Sequence, residues 1–136
     1  MVEWRERLRP AVAQWTDATM LTLTVDPKQF DSPLEAWRHI GQVRGVSELM
    51  RELKRRKLVL GPEYFYALEF QKQTEMPHYH IVSHAGFIDK HIVQQIWNLG
   101  HTWISRSKRM DSVGHAVNYA TKYITKRGEF PEWVLK

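Results

Sequence analysis

The order of strand-like and helix-like segments constrains the fold of this chain more than any other feature. Met20 to Val25 alternates apolar residues with threonine, which is typical of a strand. Glu63 to Phe70 and Met76 to Ser83 are also strand-like, and the short polar stretch Gln71 to Glu75 between them predicts a hairpin. A fourth strand is expected at His101 to Ser107.

A helix is predicted between the first two strands. Ser32 can cap it, Pro33 suits the first helical position, and Glu35 can complete a capping box. The pattern continues to about Lys57, with a bend or interruption expected at Gly45.

Two more helices are predicted further along the chain. One spans Asp89 to Leu99 and ends at Gly100, and the other begins at Asp111 or Ser112 and ends at Lys126. The first six elements then follow the order of a split βαβ, ferredoxin-like α+β domain. We expect an antiparallel sheet with helices on one face, the other face free for a ligand, and an extra C-terminal helix.

Composition limits the size and the class of the protein. The chain has 136 residues, 43% of them hydrophobic, which predicts a single domain over residues 1–136. The net charge of +5 favours nucleic acid as a partner, although a basic soluble protein without such a partner has the same composition. The absence of cysteine excludes disulfides and thiolate metal sites.

Nothing in the sequence indicates a membrane or an export signal. The N-terminal segment MVEWRERLRP is charged, and no apolar run approaches the length of a membrane span. The expectation is a cytoplasmic protein that does not contact a membrane.

Two histidines on the third predicted strand are candidate metal ligands. Side chains alternate along a strand, so His78 and His80 share one face, while Tyr79 points into the core. Two such histidines also occur by chance on strand surfaces. Glu69 is the preferred third ligand because the hairpin brings it opposite one of the histidines, and Glu75 in the turn is the alternative. Such a set leaves coordination positions open for substrate oxygens.

The last predicted helix carries the motif Tyr-x-x-Lys twice. Tyr119 and Tyr123 lie four residues apart on one helical face, with Lys122 and Lys126 three residues after them. A neighbouring ammonium favours the nucleophilic phenolate and can hold a phosphate oxygen. The alternative is an ordinary amphipathic helix with tyrosines beside its apolar stripe. His115 shares the same face as a candidate ligand or proton relay.

In three motifs the sequence resembles the HUH endonuclease superfamily. Met20–Val25 is similar to its first strand motif, Pro77–Val82 to its histidine-hydrophobic-histidine motif, and Asn118–Lys126 to its nucleophile motif. The paired tyrosines most resemble those of the A proteins of single-stranded DNA phages and of related plasmid and viral rolling-circle initiators. Two-tyrosine transposases share the motif order and remain an alternative.

The resemblance implies a rolling-circle replication (Rep) nuclease that nicks single-stranded DNA and stays attached through a 5′-phosphotyrosine. It implies Mg²⁺ or Mn²⁺ as cofactor, with a carboxylate ligand near Glu69. The expected partner is single-stranded DNA at a replication origin, which a hairpin can expose, and the protein is expected to be a monomer. A helicase is a further expected partner, either borrowed from the host or removed with another part of a longer protein.

Three basic residues at and just after the end of the fourth strand are candidate DNA contacts: Arg106, Lys108 and Arg109. A competing hypothesis is a non-catalytic ferredoxin-like module that binds RNA on its open face. It is disfavoured because the expected open face carries histidines and threonines and lacks the aromatic pair of the RNA-binding motif. A structural metal protein without catalysis is a third hypothesis, but it leaves the doubled Tyr-x-x-Lys unexplained.

Overall fold

Four antiparallel strands form one sheet in the computed structural model, which describes Trp15 and residues 17–106. The strands are β1 (Thr19–Leu23), β2 (Tyr64–Phe70), β3 (Pro77–Ser83) and β4 (Thr102–Arg106). They lie in the order β2-β3-β1-β4, and all three neighbouring pairs are antiparallel. The structure therefore confirms the α+β split βαβ arrangement.

The helices of the described region are α1 (Pro33–Val43), α2 (Gly45–Arg55) and α3 (Lys90–Ile96). The start of α1 is as predicted: Pro33 is in its first turn, and the Ser32 hydroxyl accepts a hydrogen bond from the Glu35 backbone N–H at 3.1 Å. A short 3-10 turn, Pro27–Gln29, precedes it.

The long helix expected up to Lys57 is broken in two. Arg44 adopts a left-handed conformation with φ 53°, which ends α1 and starts α2 in a new direction. Gly45 follows at once and faces the Trp97 ring, so closely that a Cβ there would lie 3.1 Å from it. The break lies beside the glycine where an interruption was predicted, and it leaves Val43 47% exposed.

Helix α3 ends three residues earlier than predicted. Trp97 leaves the helical conformation and donates its indole N–H to the Thr24 carbonyl at 2.8 Å. The buried indole therefore gains a partner on the chain that continues β1.

The main core lies between one face of the sheet and the helices. From the sheet, Leu21, Leu23, Tyr79 and Ile81 are buried in it, as the alternation predicted for Tyr79. The helical side supplies Ala36, Ile40, Val46, Leu49, Met50, Leu53, Val93 and, beyond α3, Trp97.

The opposite face of the sheet is only partly free, which corrects the expectation of an open face. Ala18, Met20 and Val82 form a second buried cluster there, with Trp15 and Phe65 packed against it. The Trp15 ring stacks on Phe65 at a centroid distance of 5.9 Å. The open part of this face is thus confined to the end that carries the histidines and to β4.

Several predicted features lie outside the described residues. They are the C-terminal helix with Tyr119, Lys122, Tyr123 and Lys126, the histidine His115, and the basic residues Lys108 and Arg109. In the region that the structure describes, no helix is both long enough and apolar enough to cross a membrane.

Candidate metal and DNA-binding site

The hairpin of β2 and β3 brings a carboxylate and two imidazoles to one face of the sheet. Glu69, expected opposite one of the two histidines, pairs directly with His78, and Ala67 pairs with His80. Because alternate residues share a face, Glu69, His78 and His80 all lie on the side away from the helices.

The turn of this hairpin fixes the register. The Gln71 N–H donates to the Met76 carbonyl at 3.0 Å, and the Glu75 N–H donates to the Gln71 carbonyl at 2.8 Å. Glu75 itself is exposed and has a left-handed φ of 60°. The alternative ligand therefore lies in the turn beyond the strands, while Glu69 lies within β2 beside the histidines.

His80 is held between β1 and β2. Its Nδ1 lies 3.4 Å from the Thr22 hydroxyl, and its Nε2 lies 3.9 Å from a carboxylate oxygen of Glu69. The side chain is 8% exposed, so its ring has little room to turn. A hydroxyl on one ring nitrogen is the kind of contact that fixes the orientation of a metal-binding imidazole.

His78 lies at the rim of the same arrangement and is half-buried. Burial lowers the pKa of His78, and the nearby Glu69 carboxylate opposes this only in part. The imidazole is therefore held in its neutral form at neutral pH, which is the form that binds a metal.

The three side chains are of the kinds that bind a divalent metal, but they do not surround a common point at which one could sit. Among residues 17–106 and Trp15, no three His, Cys, Asp or Glu side chains are grouped as a metal would require. Two ligands at octahedral bond lengths of about 2.1 Å lie roughly 3 Å from each other. The 3.9 Å between Nε2 of His80 and the Glu69 carboxylate oxygen is longer than that value, so metal binding would require the two groups to move closer together.

Two aromatic residues near this site, His101 and Trp103, were not identified as candidates from the sequence. Ala67, His80, Thr22 and Trp103 form one row across the four strands. Trp103 is 58% exposed, and its ring lies 6.2 Å from that of His101. The alternation in the fourth predicted strand was the signal that could have placed both aromatic rings on the histidine face.

Beside its histidines and threonines, this face of the sheet carries two aromatic side chains: the exposed Trp103 and, packed against the second buried cluster, the half-buried Phe65. Arg106 pairs with Thr19 at the end of β4, which fixes its place in the sheet. The other predicted DNA contacts and the tyrosines are outside the described residues, so the structure brings together only the histidines and Glu69.

Comparison with known protein families gives a match over most of the chain. The family model described as replication-associated protein ORF2 matches residues 18–128. No curated protein and no solved structure matches the chain. The matched range includes all four strands and the predicted histidine and tyrosine motifs.

Proposed function

Because the chain belongs to the replication-associated protein ORF2 family, we propose that it is a metal-dependent endonuclease that nicks single-stranded DNA to start rolling-circle replication. The observation that carries this proposal is the placement of Glu69, His78 and His80 on one face of the β2–β3 hairpin. Two imidazoles and a carboxylate leave sites open for phosphate oxygens.

Glu69, His78 and His80 would hold Mg²⁺ or Mn²⁺. Bound there, the metal would supply positive charge to the scissile phosphate. His78 enters this set as a neutral ligand because burial lowers its pKa. Thr22 keeps the His80 ring oriented, with Nε2 on the Glu69 side.

The nucleophile would be the hydroxyl of Tyr119 or Tyr123. Its oxygen forms a bond to phosphorus, the bond from phosphorus to the 3′ oxygen breaks, and that oxygen takes a proton and leaves as a 3′ hydroxyl. The products are a 5′-phosphotyrosine and a free 3′ end, so the phosphodiester energy is conserved. Lys122 and Lys126 would favour the phenolate and hold a phosphate oxygen.

Two candidate nucleophiles and a single proposed metal site suggest a relay. One makes the first cut and holds the 5′ end, and the other attacks a regenerated site, after which the released 3′ hydroxyl reseals the displaced strand. We assign the first cut to Tyr119. Arg106, Lys108 and Arg109 would contact phosphates, and a helicase would open the duplex ahead of the protein.

The test is formation of a covalent adduct between the protein and a mixed single-stranded DNA library with Mn²⁺. In the relay, Tyr119→Phe and Tyr123→Phe each retain some adduct, and the double variant forms none. If one single variant removes all adduct on every substrate, only that tyrosine is a nucleophile.

His80→Asn and Glu69→Gln are the matching metal-site variants. Both should abolish the adduct while circular dichroism still shows folded protein. Absence of any adduct with the wild-type chain would favour the non-catalytic binding module. Joining of DNA ends at transposon-like sites in place of origins would favour the two-tyrosine transposase.

A further inference from the structure

Trp103, the second residue of β4, is an exposed large apolar residue on the same face of the sheet as the proposed metal site. It is 58% exposed and pairs with Thr22, which contacts His80. His80 and Trp103 are therefore separated by two strand spacings, roughly 10 Å. Nothing in the packing of the core requires an indole at this position, since the main core lies on the other face.

We propose that Trp103 is a stacking platform for a base of single-stranded DNA whose phosphate lies at Glu69, His78 and His80. The phosphate position rests on the proposed function, whereas the stacking surface rests on the exposure and the register of Trp103. A strand of DNA that crosses the sheet from β3 to β4 would place a phosphate at the histidines and a nearby base on the indole.

The chemistry of the surface favours an unpaired base. An indole presents a flat, polarisable face that stacks on any base, and such stacking tolerates sequence variation. The His101 ring, 6.2 Å away and exposed, extends the aromatic surface to the residue before β4. Paired bases in a duplex are stacked on each other and would not present a free face to this surface. Trp103 would thus position the strand, without touching the reacting atoms.

The first measurement is binding of a fluorescently labelled mixed-sequence single-stranded oligonucleotide in EDTA, followed by anisotropy. Loss of one stacked base lowers the affinity by a factor of about 5 to 150, so Trp103→Ala should bind that much more weakly. Trp103→Phe should retain most of the affinity. Tyr66→Ala is the matched control, because Tyr66 is 50% exposed but lies on the helical face of β2.

Equal binding by wild type and Trp103→Ala would overturn the proposal, as would an equal loss in Tyr66→Ala. A loss confined to an RNA oligonucleotide of the same sequence would also overturn it, in favour of RNA as the ligand. Because binding is measured in EDTA, its outcome is independent of nicking. Weaker binding by Trp103→Ala, together with no wild-type adduct in Mn²⁺, would refute the nuclease and still support the stacking platform.

A second measurement uses the wild-type protein and so does not depend on the folding of a variant. Single-stranded DNA that contains 5-iodouracil is irradiated in the complex, and the cross-linked peptide is identified by mass spectrometry. The expected cross-link is to Trp103. Cross-links found only outside β4 would contradict the proposal.

Discussion

Substitution of Thr22 would change the proposed metal site without removal of one of its candidate ligands. Its hydroxyl lies 3.4 Å from Nδ1 of His80, at the long end of hydrogen-bond distances. The contact biases the ring towards the orientation in which Nε2 is beside Glu69. The MLTLTV alternation placed a threonine on this face, but only the strand register shows that it is the neighbour of His80.

Thr22→Val keeps the shape of the side chain and removes the hydroxyl. Loss of such a contact to a ligand lowers metal affinity by about 10- to 100-fold, and the long distance here favours a value near tenfold. Calorimetric titration with Mn²⁺ measures the effect, with Thr22→Ser as the control that keeps the hydroxyl. Unchanged affinity in Thr22→Val would show that His80 is oriented by its packing alone.

The pKa of His78 links the stability of the metal-free protein to pH. Burial lowers this pKa below its usual value of 6.5, so the unfolded state takes up the proton first as the pH falls. The free energy of unfolding should therefore fall as the pH drops below about 6.5, and the fall should level off below the lowered pKa of the folded protein. Above 6.5 the residue contributes no pH dependence.

Urea unfolding in EDTA at pH 7.5 and pH 5 checks this linkage. The glutamine in His78→Gln does not titrate, so the variant should lose less stability than the wild type between the two values. A difference between the two proteins that stays constant with pH would show that His78 has the same pKa in the folded and unfolded states.

The elements of the fold divide into those decided by local pattern and those decided by tertiary contact. The four strands and the pairing of Glu69 with His78 followed from period-two alternation and a short polar turn. The left-handed turn at Arg44 was not predicted in detail because arginine has no preference for that conformation. The early end of α3 depends on the bond from Trp97 to Thr24, which joins residues 73 positions apart.

The junction before β4 depends on Gly100. Its backbone lies against the Thr24–Asp26 segment, where the Asp26 N–H donates to the Leu99 carbonyl at 2.7 Å. A Cβ at Gly100 would overlap the Thr24 carbonyl oxygen, and backbone cannot move away as a side chain would. Gly100→Ala should therefore lower the free energy of unfolding by about 2–3 kcal/mol.

Gly41→Ala is the matched control for this prediction. Gly41 lies inside α1 with no atom within 4 Å of a built Cβ, so alanine should stabilise the protein by roughly 0.5–1 kcal/mol. Urea unfolding of both variants gives the two values. Equal effects of the two substitutions would mean that the close approach at Gly100 relaxes without cost.

At the scale of the whole molecule, the main core and the candidate site lie on opposite faces of the sheet. One face is covered by the helices, and the other carries Glu69, His78, His80 and Trp103 at its open end. The sequence predicted an antiparallel sheet with helices on one face, but it left the whole of the other face free. It did not predict the burial of His80, nor the cluster that buries Val82, to which Trp15 contributes from a distant part of the sequence.

A sheet face with the proposed phosphate site and the aromatic surface of Trp103 should accept an unpaired strand. Nicking should therefore require single-stranded or extruded DNA and should be lost in EDTA. Binding should weaken as salt rises, because the contacts are to phosphates and the chain carries a net charge of +5. A gel assay on matched single-stranded and relaxed linear duplex substrates measures the preference, and equal nicking of both would contradict it.

The candidate site comes from the single hairpin of β2 and β3, so it can form early in folding. All three candidate ligands lie within the twelve residues from Glu69 to His80, so their arrangement depends on contacts that are local in the chain. Hairpins of this kind form in about 1–10 μs, well before distant strands need to meet. Because the ligands are so close in sequence, the site also depends on the length of the turn. An inserted residue that shifted the register of β3 by one would place both imidazoles on the opposite face of the sheet.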